Sequence, residues 1–257
     1  MQTKDFQTKT VLVTGASGDI GAAIAAKFYN AGCRVAIHYY KNREKAERLL
    51  ASLTGSPEAS EIAGAQAALF QADLRSPEEI TKMFDEIRHA LGEVDILVNN
   101  AGKGKQILFQ DISYELWQDT FAVNTDACFL CCKEALPHMI HEKSGRIINI
   151  SSIWGMSGAS CEVHYSAAKA AVIGFTKALA KELGPSGITV NCVAPGVIDT
   201  EMNAHLSETD MEALRDETPL CRIGTPEDVA GAVFFLASND ASFITGQVIS
   251  PNGGFVI

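Results

Sequence analysis

Short apolar runs alternate with longer helix-type segments along the whole chain, and this alternation constrains the fold more than any other feature. Seven runs rich in β-branched and apolar residues are predicted as strands, at residues 10–13, 34–38, 67–71, 95–99, 146–151, 188–193 and 246–250. Several of these strands are apolar on both faces, as the strands of a parallel sheet covered by helices must be. The pattern therefore predicts an α/β fold with a doubly wound, seven-stranded parallel sheet.

The segments between the predicted strands carry helix patterns, and the two longest helices are predicted at residues 117–141 and 164–183. Ser76-Pro77-Glu78-Glu79 combines an N-cap, a proline at the first helical position and a capping box, so a helix should begin there. Residues 54–64 are small, polar and contain proline and glycine, which predicts a surface excursion. No repeat or interdomain linker is evident, so residues 1–257 are predicted to form one domain.

The formal net charge of −10 argues against a general affinity for nucleic acid or an anionic membrane, because both require a cationic surface. An anionic ligand must instead be held locally, by helix N-termini or a few placed cations. No apolar run approaches the roughly 20 residues that span a bilayer, and residues 1–9 show no signal-like stretch. We therefore expect a cytoplasmic protein without membrane or nucleic-acid partners.

Seven cysteines are scattered along the chain, which favours reduced thiols over a disulfide framework. Cys128, Cys131 and Cys132 form a C-x-x-C-C run that raises the alternative of a metal or redox site. No second Cys or His pair follows at ligand spacing, and the run lies among apolar residues of a predicted helix. We interpret the three cysteines as core residues and expect no metal.

A glycine-rich turn, Thr14 to Gly21, joins the first predicted strand to the first helix. Glycine permits a tight turn and a close approach of the main chain to phosphate, and the N–H groups at the helix start can then bind the anion. The turn predicts a Rossmann-type nucleotide site, although ordinary β–α turns are also rich in glycine. Its spacing differs from the common G-x-G-x-x-G fingerprint.

Tyr165 and Lys169 are four residues apart on a predicted helix, so both side chains lie on one face, one turn apart. An ammonium group near a phenol should favour the phenolate and lower its pKa, which would make the tyrosine an acid/base near neutral pH. Ser152, thirteen residues before Tyr165, follows the fifth strand, where its hydroxyl can bond a substrate oxygen. Asn124 occupies an unfavourable mid-helix position, which also suggests a role.

Taken together, these motifs resemble those of the short-chain dehydrogenase/reductases over essentially the whole chain. The matching elements, in order, are Thr14-Gly15 to Gly21, Asp73-Leu74, Asn99-Asn100-Ala101-Gly102, Asn124, Ser152, Tyr165-x-x-x-Lys169 and Pro195-Gly196. One departure is Asp19, which stands where the family has a glycine, with a glycine at position 18 instead. A carboxylate beside a pyrophosphate is unfavourable unless its side chain turns outward.

The resemblance implies a hydride-transferring oxidoreductase in which Tyr165 gives a proton to the carbonyl oxygen. Lys169 would lower the tyrosine pKa and hold the nicotinamide ribose, Ser152 would orient the carbonyl, and Asn124 would support a water chain. The implied cofactor contacts are Gly15, Ser17, Gly18, Ile20, Gly21, Tyr40, Lys41, Asp73, Leu74, Asn100, Ala101, Gly102, Tyr165, Lys169, Pro195, Gly196, Ile198 and Thr200.

The end of the second strand favours NADP(H) over NAD(H). NAD binders usually place an acid there for the ribose hydroxyls, and this chain has none before Glu44. Lys41 or Arg43 can neutralise a 2′-phosphate instead, unless both are merely solvated charges at a helix start. Many NADP-using members of the family have a basic residue at the position of Gly18, and this chain departs from that pattern.

The substrate is predicted as a small-molecule or carrier-linked carbonyl compound. Residues 222–229 and 244–247 resemble the 3-oxoacyl-[acyl-carrier-protein] reductases, whereas Ser186 and Asn252 depart from them. Elongation-factor-P-modifying reductases and sugar or polyol dehydrogenases are the alternatives, and a non-enzymatic NADP(H) sensor is disfavoured by the intact Asn-Ser-Tyr-Lys set. Residues 200–222 resemble the family's substrate-binding flap.

The family resemblance also implies a homotetramer that uses the helices at residues 117–141 and 164–183 as one interface. Small residues on the second helix, Ala167, Ala168, Ala170, Ala171 and Gly174, would permit close helix contact, unless they pack against the chain's own sheet.

Overall fold

The computed structural model describes residues 6–55, 65–204 and 206–257. Most of the predicted surface excursion, residues 56–64, therefore lies outside the described residues. One sheet of seven parallel strands, in the order β3-β2-β1-β4-β5-β6-β7, forms the centre. The strands are β1 (Thr10–Val13), β2 (Arg34–Tyr39), β3 (Gln66–Gln71), β4 (Ile96–Asn99), β5 (Gly145–Ile150), β6 (Ile188–Val193) and β7 (Val248–Ile249). The predicted doubly wound, Rossmann-type fold is confirmed.

Helices cover both faces of the sheet. They are α1 (Asp19–Asn30), α2 (Arg43–Thr54), α3 (Pro77–Leu91), α4 (Tyr114–Phe121), α5 (Ala127–Glu142), α6 (Ile153–Ser157), α7 (Val163–Leu183), α8 (Glu208–Glu217) and α9 (Pro226–Ala237). The predicted cap at Ser76 is confirmed, because its hydroxyl accepts the Glu79 N–H at 3.2 Å and Pro77 opens α3. No helix in the described ranges is long and apolar enough to cross a membrane.

Alternate residues of each strand enter two separate cores, which explains why the strands read as continuous apolar runs. Val11 and Val13 face the core formed with α1 and α9, whereas Leu12 faces the core formed with α3, α5 and α7. All three side chains are fully buried. Phe28 of α1 and Phe234 of α9 have ring centroids 5.3 Å apart and anchor the first core. The sheet is therefore covered on both sides, as a parallel sheet requires.

Two predicted elements differ from the structure. The seventh strand was expected at residues 246–250 but contains only Val248 and Ile249. Gly246 has a left-handed φ of +70°, and the Gln247 N–H bonds the Asn191 side chain at 3.1 Å, so the regular ladder begins later. The long helix predicted at residues 117–141 begins at Tyr114, and a π-helical turn at Ala122–Asp126 divides it into α4 and α5.

Candidate active site

The candidate site lies at the carboxyl ends of the central strands, at the point in the sheet where the strand order reverses. The chain moves outward from β1 through β2 to β3, then returns to place β4 on the other side of β1. The resulting crevice beside β1 and β4 is where doubly wound folds bind ligands. The predicted phosphate turn, the Asn100–Gly102 segment, Ser152 and the Pro195–Gly196 loop all follow strands at this edge.

The predicted catalytic side chains lie together and are almost completely buried. Tyr165 and Lys169 of α7 are 8% and 3% exposed, and Ser152 is 8% exposed. The Lys169 ammonium lies 5.7 Å from the centre of the Tyr165 ring and donates a hydrogen bond of 2.9 Å to the Ile150 carbonyl at the end of β5. The lysine is thus fixed between the helix and the sheet edge, facing the tyrosine.

Ser152 is the N-cap of α6, and this role orients its hydroxyl. Its Oγ accepts the Trp154 N–H at 3.1 Å. Because the oxygen is held as an acceptor, the O–H remains available to donate to another oxygen. An interaction with Ser152 also acts on the Tyr165 phenol, where it lowers the pKa. Ser152 and Tyr165 can therefore address the same substrate oxygen.

Asn124 lies in the π-helical turn and is completely buried. Its Oδ1 accepts the Lys103 N–H at 3.2 Å, and its Nδ2 donates to the Lys103 and Thr120 carbonyls, each at 2.9 Å. Single π turns inside α-helices are frequent at functional sites. Here the π turn places the Asn124 amide against the main chain of the segment after β4. Both polar atoms of this mid-helix asparagine are therefore hydrogen-bonded.

Gly102 is required by this arrangement. A Cβ atom at this position would lie 2.7 Å from Asn124 Oδ1 and 3.0 Å from Lys169 Nζ. Any side chain would therefore displace the amide or the ammonium group. The Asn100–Gly102 segment was predicted to line the cofactor, and the structure shows that its glycine also makes room for two of the predicted catalytic groups.

The expectation that Lys169 lowers the Tyr165 pKa is wrong for this structure. Burial, with a smaller contribution from Glu162, raises the Tyr165 pKa to about 12, and only Ser152 opposes the increase. Burial also lowers the pKa of Lys169, because the ammonium is removed from water. Desolvation is therefore the largest influence on the pKa of both groups. The phenol therefore carries its proton at neutral pH.

The glycine-rich turn is tied to the end of β4. The Thr14 hydroxyl accepts the Asn100 and Ala101 N–H groups at 2.9 and 3.0 Å. Gly15 adopts φ +64°, and a Cβ there would lie 2.9 Å from the Ala101 Cα. Glycine is needed at this position for both reasons. Ser17, Gly18 and Ile20 lie at the start of α1, where main-chain N–H groups lack helical acceptors.

His38, for which the sequence suggested no role, supports the same turn. Its Nδ1 accepts the Gly15 N–H at 2.9 Å, and its Nε2 lies 3.1 Å from the Ala72 carbonyl. The ring must therefore be the neutral tautomer that carries its proton on Nε2. Burial lowers the His38 pKa to about 4. The signal available in the sequence was a lone histidine within a strand predicted to be buried on both faces.

Four predicted cofactor contacts, Tyr40, Lys41, Asp73 and Leu74, follow the ends of β2 and β3. Arg75 bonds Asp73, Asp119 and the Tyr40 hydroxyl, and hydrogen bonding from Arg75 lowers the Asp73 pKa to about 2. Lys41 lies 5.0 Å above the Tyr40 ring. Leu74 is different, because its side chain is buried in the core, so any contact with a ligand would fall to its main chain. The sequence did not predict the part played by Arg75.

The loop that carries the predicted cofactor contacts Pro195 and Gly196 follows β6. The Pro195 carbonyl accepts the Ile153 N–H at 3.0 Å, which joins this loop to the start of α6. A Cβ on Gly196 would lie 2.8 Å from Asn252, so the loop also packs closely on the C-terminal segment. Ile198 is a core residue, and Thr200 precedes a short helical turn at Glu201–Asn203. The loop is thus held from both sides.

The C-x-x-C-C run is part of the core, as predicted. Cys128, Cys131 and Cys132 are each no more than 3% exposed, and burial raises the pKa of every one of these thiols. Within the described residues, no group of three potential metal ligands is found.

The fold and this site define a Rossmann-type oxidoreductase domain. A protein-family profile described as enoyl-(acyl carrier protein) reductase matches residues 15–256. The chain is 45% identical to the 3-oxoacyl-[acyl-carrier-protein] reductase FabG of Aquifex aeolicus, covering 97% of this chain and 98% of the relative. It is 40% identical to the uncharacterized oxidoreductase YmfI of Bacillus subtilis, covering 96% and 98%. The chain belongs to the short-chain dehydrogenase/reductase family.

Solved structures agree with this assignment. A short-chain dehydrogenase/reductase from Brucella melitensis, titled glucose/ribitol dehydrogenase, superposes with a TM-score of 0.88 at 35% identity, covering 98% of each chain. A putative gluconate dehydrogenase from Agrobacterium tumefaciens superposes with a TM-score of 0.92 at 28% identity, covering 100% of each chain. The predicted enzyme class and its use of a nicotinamide cofactor therefore follow from family membership.

The buried neutral His38 predicts a pH-dependent stability. The folded protein holds its pKa at about 4, against 6.5 for an ordinary histidine, so the unfolded chain binds the proton first as the pH falls. We expect this residue to lower the free energy of unfolding by about 2 kcal/mol between pH 7 and pH 5. Urea unfolding at both pH values would measure the loss.

The matched variants are His38→Asn, whose amide oxygen can still accept the Gly15 N–H, and His141→Asn, which alters a side chain that is 85% exposed. The loss should be smaller by about 2 kcal/mol in His38→Asn and unchanged in His141→Asn. An equal pH dependence in His38→Asn and the parent protein would contradict the assignment.

Proposed function

We propose that the protein reduces a ketone to a secondary alcohol with NADPH, with a 3-oxoacyl thioester carried by an acyl carrier as the first candidate substrate. The observation that carries the proposal is the buried, protonated Tyr165 phenol beside Ser152 and Lys169. A phenol that is protonated at neutral pH holds the proton that ketone reduction must deliver to the carbonyl oxygen. The similarity to the FabG proteins supports the carrier-linked substrate class.

In this mechanism, bound nicotinamide supplies the hydride that is added to the carbonyl carbon. The Ser152 O–H bonds the carbonyl oxygen and stabilises the negative charge that develops there. Tyr165 gives its hydroxyl proton to the same oxygen. Lys169, held by the Ile150 carbonyl, stabilises the phenolate left on Tyr165, and Asn124 positions the adjoining segment through Lys103.

The proposed preference for NADP(H) depends on which cations near the end of β2 already form ion pairs. Arg43 is paired with Glu47 at 2.8 Å, and Arg75 is paired with Asp73 and Asp119. In the described part of the chain, Lys41 has no ion pair and lies against the Tyr40 ring. We therefore assign the 2′-phosphate to Lys41 rather than to Arg43. The end of β2 itself has no carboxylate that could bind the ribose hydroxyls.

Residues 200–222 are proposed as the flap that closes over the substrate. The segment contains α8 and leaves apolar side chains exposed, with Met202 at 53% and Leu220 at 64%. Its two ends are held together, because Ile198 pairs with Gly224 and the Asp199 N–H bonds the Gly224 carbonyl at 2.9 Å. A segment closed at its base and apolar toward solvent suits an acyl substrate.

A sugar or polyol dehydrogenase is the second candidate, favoured by the titles of the two structural neighbours. The same Ser-Tyr-Lys arrangement would act in the oxidative direction on an alcohol. Acetoacetyl thioester with NADPH, compared with glucose and ribitol with NADP⁺, separates the two candidates. Turnover of the sugars alone would overturn the first proposal.

The role of Tyr165 gives a direct test. Tyr165→Phe removes the proton donor and leaves the ring in place, so we expect kcat for acetoacetyl-thioester reduction to fall about 10²- to 10⁴-fold. NADPH affinity, measured by fluorescence titration, should change less than about twofold. Tyr114→Phe, at a tyrosine that is 70% exposed, is the control and should retain full activity. Undiminished kcat in Tyr165→Phe would remove this residue from the mechanism.

Cofactor choice is tested at Lys41. Lys41→Ala should raise KM for NADPH about tenfold, the effect of losing one charge-assisted contact, and leave KM for NADH nearly unchanged. Arg43→Ala should have little effect on either, since its guanidinium already serves Glu47. Steady-state assays with both cofactors measure the ratio. A larger effect at Arg43 than at Lys41 would reverse the assignment.

We also propose that the chain forms a homotetramer in the cytoplasm. Apolar side chains are exposed on and just before α4 and α5, including Phe109 at 69% and Phe129 at 48%. Ala170 and Gly174 of α7 lie at the surface as predicted, whereas Ala168 is buried within the chain and cannot serve an interface. All seven cysteines are free thiols, which suits a reducing compartment.

Sedimentation tests the assembly. We expect a tetramer in velocity runs, because a monomer would leave these apolar helix surfaces in water. Phe129→Glu, which adds a charge to the exposed face of α5, should produce smaller species, whereas Glu78→Gln on α3 should not. A monomeric parent protein would refute the proposal.

A further inference from the structure

Asp19 departs from the pattern of its family, and the structure shows where its carboxylate goes. Asp19 is the first residue of α1, at the helix start where the phosphates are expected. Its Oδ2 accepts the main-chain N–H of Glu201 at 2.8 Å, a contact between positions 182 residues apart. The side chain thus turns toward the beginning of the flap.

Glu201 makes a second contact, through its side chain. The Glu201 carboxylate forms an ion pair with Lys45 of α2. Glu201 is therefore held twice, by its N–H to α1 and by its side chain to α2. These are contacts between the β1–β2 half of the domain, which carries the turn and both helices, and the segment that follows β6 on the other half.

The two contacts of Glu201 differ from the other hydrogen bonds at the base of the flap, because they reach the opposite side of the cleft. The base of the flap is already closed by the Gly224 N–H, which bonds the Val197 carbonyl at 3.0 Å, and by Asn203, whose Nδ2 donates to the Ile198 carbonyl at 2.8 Å. Those bonds lie within the β6 side of the molecule. The Asp19 and Lys45 bonds instead join the two sides of the cleft, and a nucleotide bound at the α1 N-terminus would lie beside the Asp19 carboxylate.

We propose that Asp19 is a positioning residue that fixes the Glu201–Asn203 turn across the nucleotide cleft, with Lys45 holding the same turn from α2. The N–H of Glu201 is the essential donor, and the Asp19 carboxylate is its acceptor. Loss of this bond frees the turn and speeds release of nucleotide from beneath it. The part that concerns nucleotide rests on the proposed function, whereas the part that concerns the turn does not.

The bond can be removed from either side. Asp19→Ala deletes the acceptor, and Asp19→Asn keeps an acceptor oxygen without the charge. Glu201→Pro deletes the donor N–H. Proline suits this position, because Glu201 opens a helical turn and Thr200 before it is extended, with φ −149° and ψ 160°. Glu201→Ala is its matched control, since it loses the ion pair with Lys45 and keeps the N–H.

Hydrogen–deuterium exchange of peptides that contain residues 202–204, in protein without nucleotide, reads out the turn. We expect exchange at least about tenfold faster in Asp19→Ala and in Glu201→Pro, and less than about threefold faster in Asp19→Asn and Glu201→Ala. The double variant Asp19→Ala/Glu201→Pro should exchange no faster than either single variant, because both remove one bond. Glu78→Ala, which removes a first-turn acid from α3, should exchange at the parent rate.

Stopped-flow displacement of NADPH gives the second readout. Dissociation should be faster in Asp19→Ala and Glu201→Pro, and no faster than the parent rate in Asp19→Asn. Parent-like exchange in both Asp19→Ala and Glu201→Pro would overturn the proposal, as would additive effects in the double variant. Failure of the parent protein to bind NADPH would instead overturn the proposed cofactor and leave the exchange result valid.

Discussion

Main-chain groups just beyond the paired residues of β1 and β4 need partners, and the site is built from the bonds that supply them. The Thr14 N–H bonds the Val98 carbonyl of β4, and the Thr14 hydroxyl takes the N–H groups of Asn100 and Ala101. His38 takes the N–H of Gly15. An unpaired buried amide is costly, so these two side chains largely determine the shape of the turn. The cleft exists because the chain after β1 leads to α1 on one face of the sheet and the chain after β4 leads to α5 on the other, and it is rigid because the ends of the two strands are bonded.

A second set of buried polar groups joins the sheet to α7, the helix that bears the proposed catalytic residues Tyr165 and Lys169. The Asn99 amide donates to Asn149 at 2.8 Å, and the Asn149 amide donates to Thr176 of α7 at 2.9 Å. Lys169 adds its bond to the Ile150 carbonyl. The helix that bears Tyr165 is thereby fixed to β4 and β5 along its length. Burial of this kind has an electrostatic consequence, since it disfavours both the phenolate and the ammonium. The same packing that positions the pair keeps the tyrosine protonated.

The sequence predicted the sheet well because a strand buried on both faces is conspicuous, as the runs at β1, β4 and β6 are. It also predicted which residues would gather at the carboxyl edge, because parallel strands leave no other place for them. The sequence did not predict properties that depend on the distance between groups or on their burial. The direction of the Tyr165 pKa shift needed the depth of burial, and the role of His38 needed the position of Gly15. The π turn at Asn124 could not be read from helix periodicity.

The charges around the cleft show how an acidic protein can bind an acidic ligand. Most cations near the nucleoside end are already neutralised: Arg43 by Glu47, Arg75 by Asp73 and Asp119, and Lys45 by Glu201. Such ion pairs contribute little to the free energy of folding at an exposed surface. They nevertheless determine which cation is left without a carboxylate partner and can bind a ligand. The pairing of Lys45 differs from the others, because its partner Glu201 also takes part in the Asp19 contact. A carboxylate at the α1 N-terminus would repel a pyrophosphate if it faced the cleft. Its bond to the Glu201 N–H holds it at a fixed place on the cleft wall, and in the proposed function phosphate binding falls to main-chain N–H groups at the start of α1.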